Sequence, residues 1–92
     1  MIKDARFYFA NFGVDVGRMV SAVEKGDREA YALCVEMMHR TLAYLRNAGD
    51  PIMYEKGLQL LRDFEHARED NALGKFSDDL NDLIAEYSPL AQ

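Results

Sequence analysis

The strongest constraint on this chain is a hydrophobic seam at its beginning. Ile2, Ala5, Phe9, Phe12, Val16, Met19 and Val23 recur at alternating steps of three and four. That is the a/d period of an α-helix, and it marks one face of a long first helix. The far side is not simply polar. Ala10, Gly13, Gly17 and Ser21 form a strip of small residues flanked by Phe7 and Val14. Beyond the first turn, which holds Asp4, charge between Phe7 and Val23 is confined to Asp15 and Arg18, with Asn11 beside them. A helix with so little polar surface is either central in its own fold or half of an interface.

The rest of the chain repeats the helical period between evenly spaced turn signals. Gly26-Asp27, Gly49-Asp50-Pro51 and Gly74 with Ser77 each pair a glycine suited to a left-handed helix end with a residue suited to start the next helix. Pro51 stands where proline is welcome, at the first helical position. The pattern predicts helices over 3–25, 28–48, 51–73 and 78–88, with Pro89 stopping the last. No run combines period-two alternation with β-branched residues, so no strand is expected. The second helix should bury Ala30, Cys34, Met38, Thr41, Leu45 and Ala48, with Leu33, Met37 and Tyr44 on its flank. The third offers Met53, Gly57, Leu60, Phe64 and Ala67, and the fourth Phe76, Leu80, Leu83, Tyr87 and Leu90. Such short connections make neighbours antiparallel. The expected fold is all-α, a single domain over 1–92. It is an antiparallel up-down four-helix bundle of three long helices and a short fourth, with left-handed packing.

Three glycines break the helical logic. Gly13, Gly17 and Gly57 lie inside helices, where each costs about 1 kcal/mol relative to alanine. Close approach of a neighbour explains Gly57, on the core face. The strip of Ala10, Gly13, Gly17 and Ser21 points away from the seam and needs a second partner. The expectation is a homodimer in which Phe7, Ala10, Gly13, Val14, Gly17 and Ser21 meet their own copies. The competing arrangement packs the fourth helix there instead.

Charge excludes some partners. The net charge is −5, and residues 62–92, with three basic and eight acidic side chains, carry the whole excess. Nucleic acid and anionic membrane surfaces are therefore not expected partners, because binding them by counterion release needs Lys and Arg. A basic partner protein could dock on the acidic third. The most apolar window, Phe7 to Val23, contains Asn11, Asp15 and Arg18 and falls short of a membrane span. A single cysteine, Cys34, and no visible signal peptide fit a cytoplasmic protein.

Chemistry has little to draw on. Glu36 with His39 and Asp63 with His66 have the carboxylate-x-x-His spacing of bundle metal centres. Their phase places them away from the seams, where they read as solvent-facing charge partners. No metal site, cofactor or catalytic residue is assigned. Arg62 and His66 are closer together than the Arg-to-His pair of HEPN-class helical ribonucleases, and they sit among acidic residues that would repel RNA. The few hydroxyls and the absence of Gly-rich loops or nucleophile elbows leave no nucleophilic motif. The expected function is a small, non-enzymatic helical interaction or regulatory protein. The alternative is a bundle binding a small molecule or metal, with or without catalysis, near Gly13, Gly17 and Gly57, where missing side chains leave room.

Overall fold

The computed structural model describes residues 4–87. Ile2, at the head of the seam, and Ser88, Pro89 and Leu90 lie outside that range. Four α-helices account for nearly all of it: α1 (Ala5–Lys25), α2 (Arg28–Asn47), α3 (Pro51–Glu69) and α4 (Leu73–Tyr87). Three of them start alike. The carboxylates of Asp4, Asp27 and Asp50 accept hydrogen bonds from the backbone N–H groups of Phe7, Ala30 and Met53 at 3.0–3.1 Å. Each satisfies one of the amide donors that a helix start leaves unpaired.

The helix ends explain where the sequence pattern misplaced a boundary. Gly26 closes α1 in the left-handed region, at φ 68°, and Asp27 N–H reaches back to Ala22 C=O at 3.0 Å. The same six-to-one bond recurs after α3, from Ala72 N–H to Ala67 C=O at 2.8 Å. The left-handed residue there is Asn71, at φ 56°, not Gly74. Asparagine tolerates this conformation because its short amide can bond locally. α3 thus ends at Glu69, and α4 begins at Leu73, earlier than expected. Gly74 and Ser77 lie inside α4, and Ser77 caps nothing. The longer α4 can cover more of its neighbours than the expected 78–88 segment could.

α1 is the hub. It packs on α2, α3 and α4, whereas the backbones of α2 and α4 do not approach each other closely among the described residues. Its seam is buried as the spacing required: Phe9, Phe12, Val16 and Met19 are each at most 3% exposed. Phe12, Phe64, Leu45 and Leu80 are the largest fully enclosed side chains, and each contributes about 1.5–3 kcal/mol by burial. One apolar cluster joins Phe12, Val16, Met38, Phe64, Phe76 and Leu80. A second, at the other end of the bundle, joins Ala5, Phe9, Ala10, Leu45 and Tyr87.

Three of the four residues in the small-residue strip of α1, Ala10, Gly13 and Gly17, are covered from within the chain. A Cβ added at Gly13 would stand 2.9 Å from Ile84 Cγ1, and one at Gly17 would stand 3.7 Å from Leu80 Cδ2. Ala10 is buried in the cluster that holds Tyr87. The partner that these residues require is therefore α4, and the strip gives no ground for a homodimer. Gly57 admits Leu45, whose Cδ2 would lie 3.0 Å from an added Cβ. Gly13 and Gly57 are places of close side-chain approach, Gly17 is in ordinary contact with Leu80, and a Cβ added at Gly74 would meet nothing within 4 Å. At Gly13 and Gly57 the space that a side chain would take is held by Ile84 and Leu45.

Candidate functional site

With three sides of α1 covered, one ridge is left: Phe7, Asn11, Val14, Arg18 and Lys25, spaced by three, four or seven residues along one line of the helix. α2 runs beside it and turns Met37, Thr41 and Tyr44 toward the same side. Between them lies an open groove of about 600 Å³. Its apolar walls are Phe7, Tyr8, Val14, Met37 and Tyr44. Phe7 and Tyr8 meet edge-on at 5.4 Å between ring centroids, and Tyr8 and Tyr44 meet at 5.6 Å. Such aromatic contacts hold the rings in fixed positions. Tyr44 nonetheless remains 50% exposed and Val14 37%. Leu33, one helical turn before Met37, is 59% exposed.

A polar pair forms the floor. Asp15 is the buried charged residue of the core, only 6% exposed. Thr41 Oγ1 lies 2.7 Å from its Oδ2, and Arg18 Nη1 lies 3.2 Å from its Oδ1. Met37 C=O is a second acceptor for the Thr41 hydroxyl at 3.1 Å. One proton cannot serve both fully, and the shorter contact with the charged acceptor is the stronger. This bond crosses from α1 to α2 and fixes their register beneath the groove. Arg18 keeps 55% of its side chain exposed, and Arg40 lines the opposite wall.

A smaller hollow of about 160 Å³ continues toward the far end of the same helix pair. It is lined by Arg18, Ser21, Lys25, Ala30 and Cys34, with Asp27 at its end. The thiol of Cys34 is free and half-buried. A separate hollow of about 230 Å³ lies where Arg68 stacks on Tyr31, 5.1 Å from the ring centroid, and donates a hydrogen bond to its hydroxyl at 3.1 Å.

The expected site residues do not form one patch. Ala10, Gly13 and Gly17 face α4, Phe7 and Val14 line the groove, and Ser21 lines the smaller hollow. Glu36, His39, Asp63 and His66 are all exposed. Asp63 accepts a hydrogen bond from Gln59 at 2.9 Å, and His39 borders a shallow depression with Leu42, Arg46 and Tyr54. Among the described residues, no three His, Cys, Asp or Glu side chains come together to hold a metal ion. Nor is any helix there long and apolar enough to cross a membrane.

The spacing had set Asp15 on the polar band of α1 and Thr41 on the buried face of α2. Their meeting is what the sequence reading missed. The available signal was a lone carboxylate on the most apolar helix and a lone hydroxyl on an apolar stripe.

Comparison with protein-family models, with curated proteins and with solved structures finds no match to this chain.

Proposed function

We propose that this chain is a small, non-enzymatic interaction protein that presents the face shared by α1 and α2 to a partner. One observation carries the reading: side chains that a closed bundle would bury are left out on that face. Val14 and Tyr44, which line the groove, are more than one-third exposed, while Gly13 and Gly57 on the other flanks are closely packed by Ile84 and Leu45. Apolar surface gathered in one rimmed groove marks a contact site more often than scattered exposure does. A cytoplasmic setting belongs to the same proposal, since one unpaired cysteine suits a reducing compartment.

The test is affinity capture from the source cell with three baits: the native chain, Val14→Asp and Tyr44→Asp. The native bait should retain a defined partner that both variants lose, with their circular dichroism and melting temperature nearly unchanged. Retention of the same proteins by all three baits would rule the groove out.

A second reading is binding of a small molecule in the same groove. The roughly 600 Å³ volume, with Asp15, Thr41, Arg18 and Arg40 converging on it, favours this reading. The open side of the groove weighs against it, because a compact ligand there would keep much of its surface in water.

A further inference from the structure

We infer that the occupant of the α1/α2 groove is an acidic amphipathic helix supplied by a partner protein. This rests on the interaction reading above and adds the shape and charge of what is bound.

Shape comes first. The two hollows share Arg18 and lie end to end. Together they form a trough from Phe7 to Lys25 along α1, and from Tyr44 back to Ala30 along α2. At 1.5 Å per residue, that stretch of α1 is roughly 27 Å long and matches a helix of about 18 residues. A trough of this length, open along one side, fits a rod rather than a compact molecule. Its large apolar side chains are gathered at one end, where Phe7, Tyr8 and Val14 of α1 face Met37 and Tyr44 of α2, and the other end adds only Ala22, Ala30 and Cys34. A third helix laying an i, i+3/i+4, i+7 stripe between α1 and α2 is the geometry of helix-in-groove recognition.

Charge selects the kind of helix. Arg18, Lys25 and Arg40 line the trough, and all three are exposed. The acids that line it are already engaged. Asp15 is held by Thr41 and Arg18, and Asp27 caps α2 through Ala30 N–H. Arg18 is engaged by Asp15 in turn, so the lining sets three cations against two carboxylates, a slight positive excess on a chain of net charge −5. It favours an acidic occupant and discriminates against a basic one.

The same charges disfavour other occupants. Arg18 lies midway along the trough with Arg40 opposite. A twofold pairing of two copies through this face would set these cations against their counterparts. Three cations on an acidic chain are too few for nucleic acid.

The test exploits the absence of tryptophan from the chain. Helical peptides of about 18 residues would carry one Trp within a fixed Leu/Phe stripe and Glu, Gln or Lys on the polar face. The Trp reports binding by fluorescence anisotropy with no protein background. The Glu peptide should bind at least tenfold more tightly than the Gln peptide, weaken with added salt, and slow maleimide labelling of Cys34. The Lys peptide should bind weakest. Arg40→Glu, an exposed change that leaves the fold intact by circular dichroism, should narrow or reverse that order.

Equal binding of the Glu and Lys peptides, abolished in both by Val14→Asp, would overturn the acidic occupant while leaving the groove as an interaction surface. A dimer in sedimentation that Val14→Asp dissociates would replace the partner helix with a second copy. Failure of all three peptides to bind, with capture partners unaffected by Val14→Asp, would remove both this inference and the reading beneath it.

Discussion

Two flanks of α1 present opposite outcomes. Toward α4, Ala10, Gly13 and Gly17 let Leu80 and Ile84 settle against the helix backbone. Toward α2, the outer positions are Phe7, Tyr8 and Val14, which face Met37 and Tyr44 across a trough. Small residues on one helix and branched ones on the other interdigitate and close. Rings and long side chains on both helices at the same level leave a hollow until a third element fills it. A local choice of residue size thus separates a sealed seam from an open one. The enclosed side chains of the sealed flank should matter far more to stability than the exposed ones of the open flank.

The largest effect expected from this contrast lies in the sealed flank. Leu80→Ala should cost about 2–5 kcal/mol, because Leu80 is fully enclosed and its removal leaves a void. Tyr44→Ala and Leu33→Ala on the open flank should stay within about 0.5 kcal/mol. Urea titrations of the three variants measure both halves, and comparable losses would dissolve the distinction.

Next is the floor beneath the trough. Asp15→Ala removes a charge-assisted bond between α1 and α2 and should cost about 1.5–3 kcal/mol. Hydrogen exchange should rise along both helices in the variant, and a native-like pattern would show that the pair does not fix their register.

Smaller still, and opposite in sign, are two alanines in one strip. Gly17→Ala meets only ordinary contact, at 3.7 Å from Leu80, so it should gain up to about 1 kcal/mol of helix propensity. Gly13→Ala drives a methyl to 2.9 Å from Ile84. An overpacking cost of about 1–3 kcal/mol should cancel or exceed the same gain. Thermal melts decide the signs, and stabilisation by both would mean that α4 yields more readily than its packing implies.

The smallest effect is electrostatic. Lys56 Nζ donates to Tyr87 Oη at 3.0 Å, and Arg6 stacks 4.7 Å from the same ring. The hydrogen bond with Tyr87, then that residue's charge when ionised, hold the Lys56 ammonium above its ordinary 10.5. A raised pKa means that the folded state binds the proton more tightly. The contribution is complete below pH 10.5 and fades as pH climbs through the raised value. Melting temperatures followed from pH 8 to 11 should fall less steeply for Lys56→Met than for the native chain. Parallel curves would remove the link.

Much of the architecture was legible because helices are written locally. The α1 seam from Ala5 to Met19, the Asp27 and Asp50 caps and the glycine ends at Gly26 and Gly49 depend on neighbours three or four residues away. The turn at Asn71 was hidden because a left-handed asparagine looks like many polar residues, whereas Gly74 looks like a helix end. The trough was hidden for another reason. It joins Asp15 and Arg18 of one helix to Met37, Arg40 and Thr41 of the next, and no spacing along a single helix records which residues face each other.

The amino-acid order by itself determined that this chain makes four amphipathic helices, and that the first must be covered from more than one side. Periodicity and capping act over one or two turns and need no tertiary partner. Only the folded molecule decided which neighbour covers which side. The rotation and register of packed helices are set by how their side chains interdigitate and by the Asp15–Thr41 bond. That choice gave the glycine strip to α4 and left the aromatic flank beside α2 open.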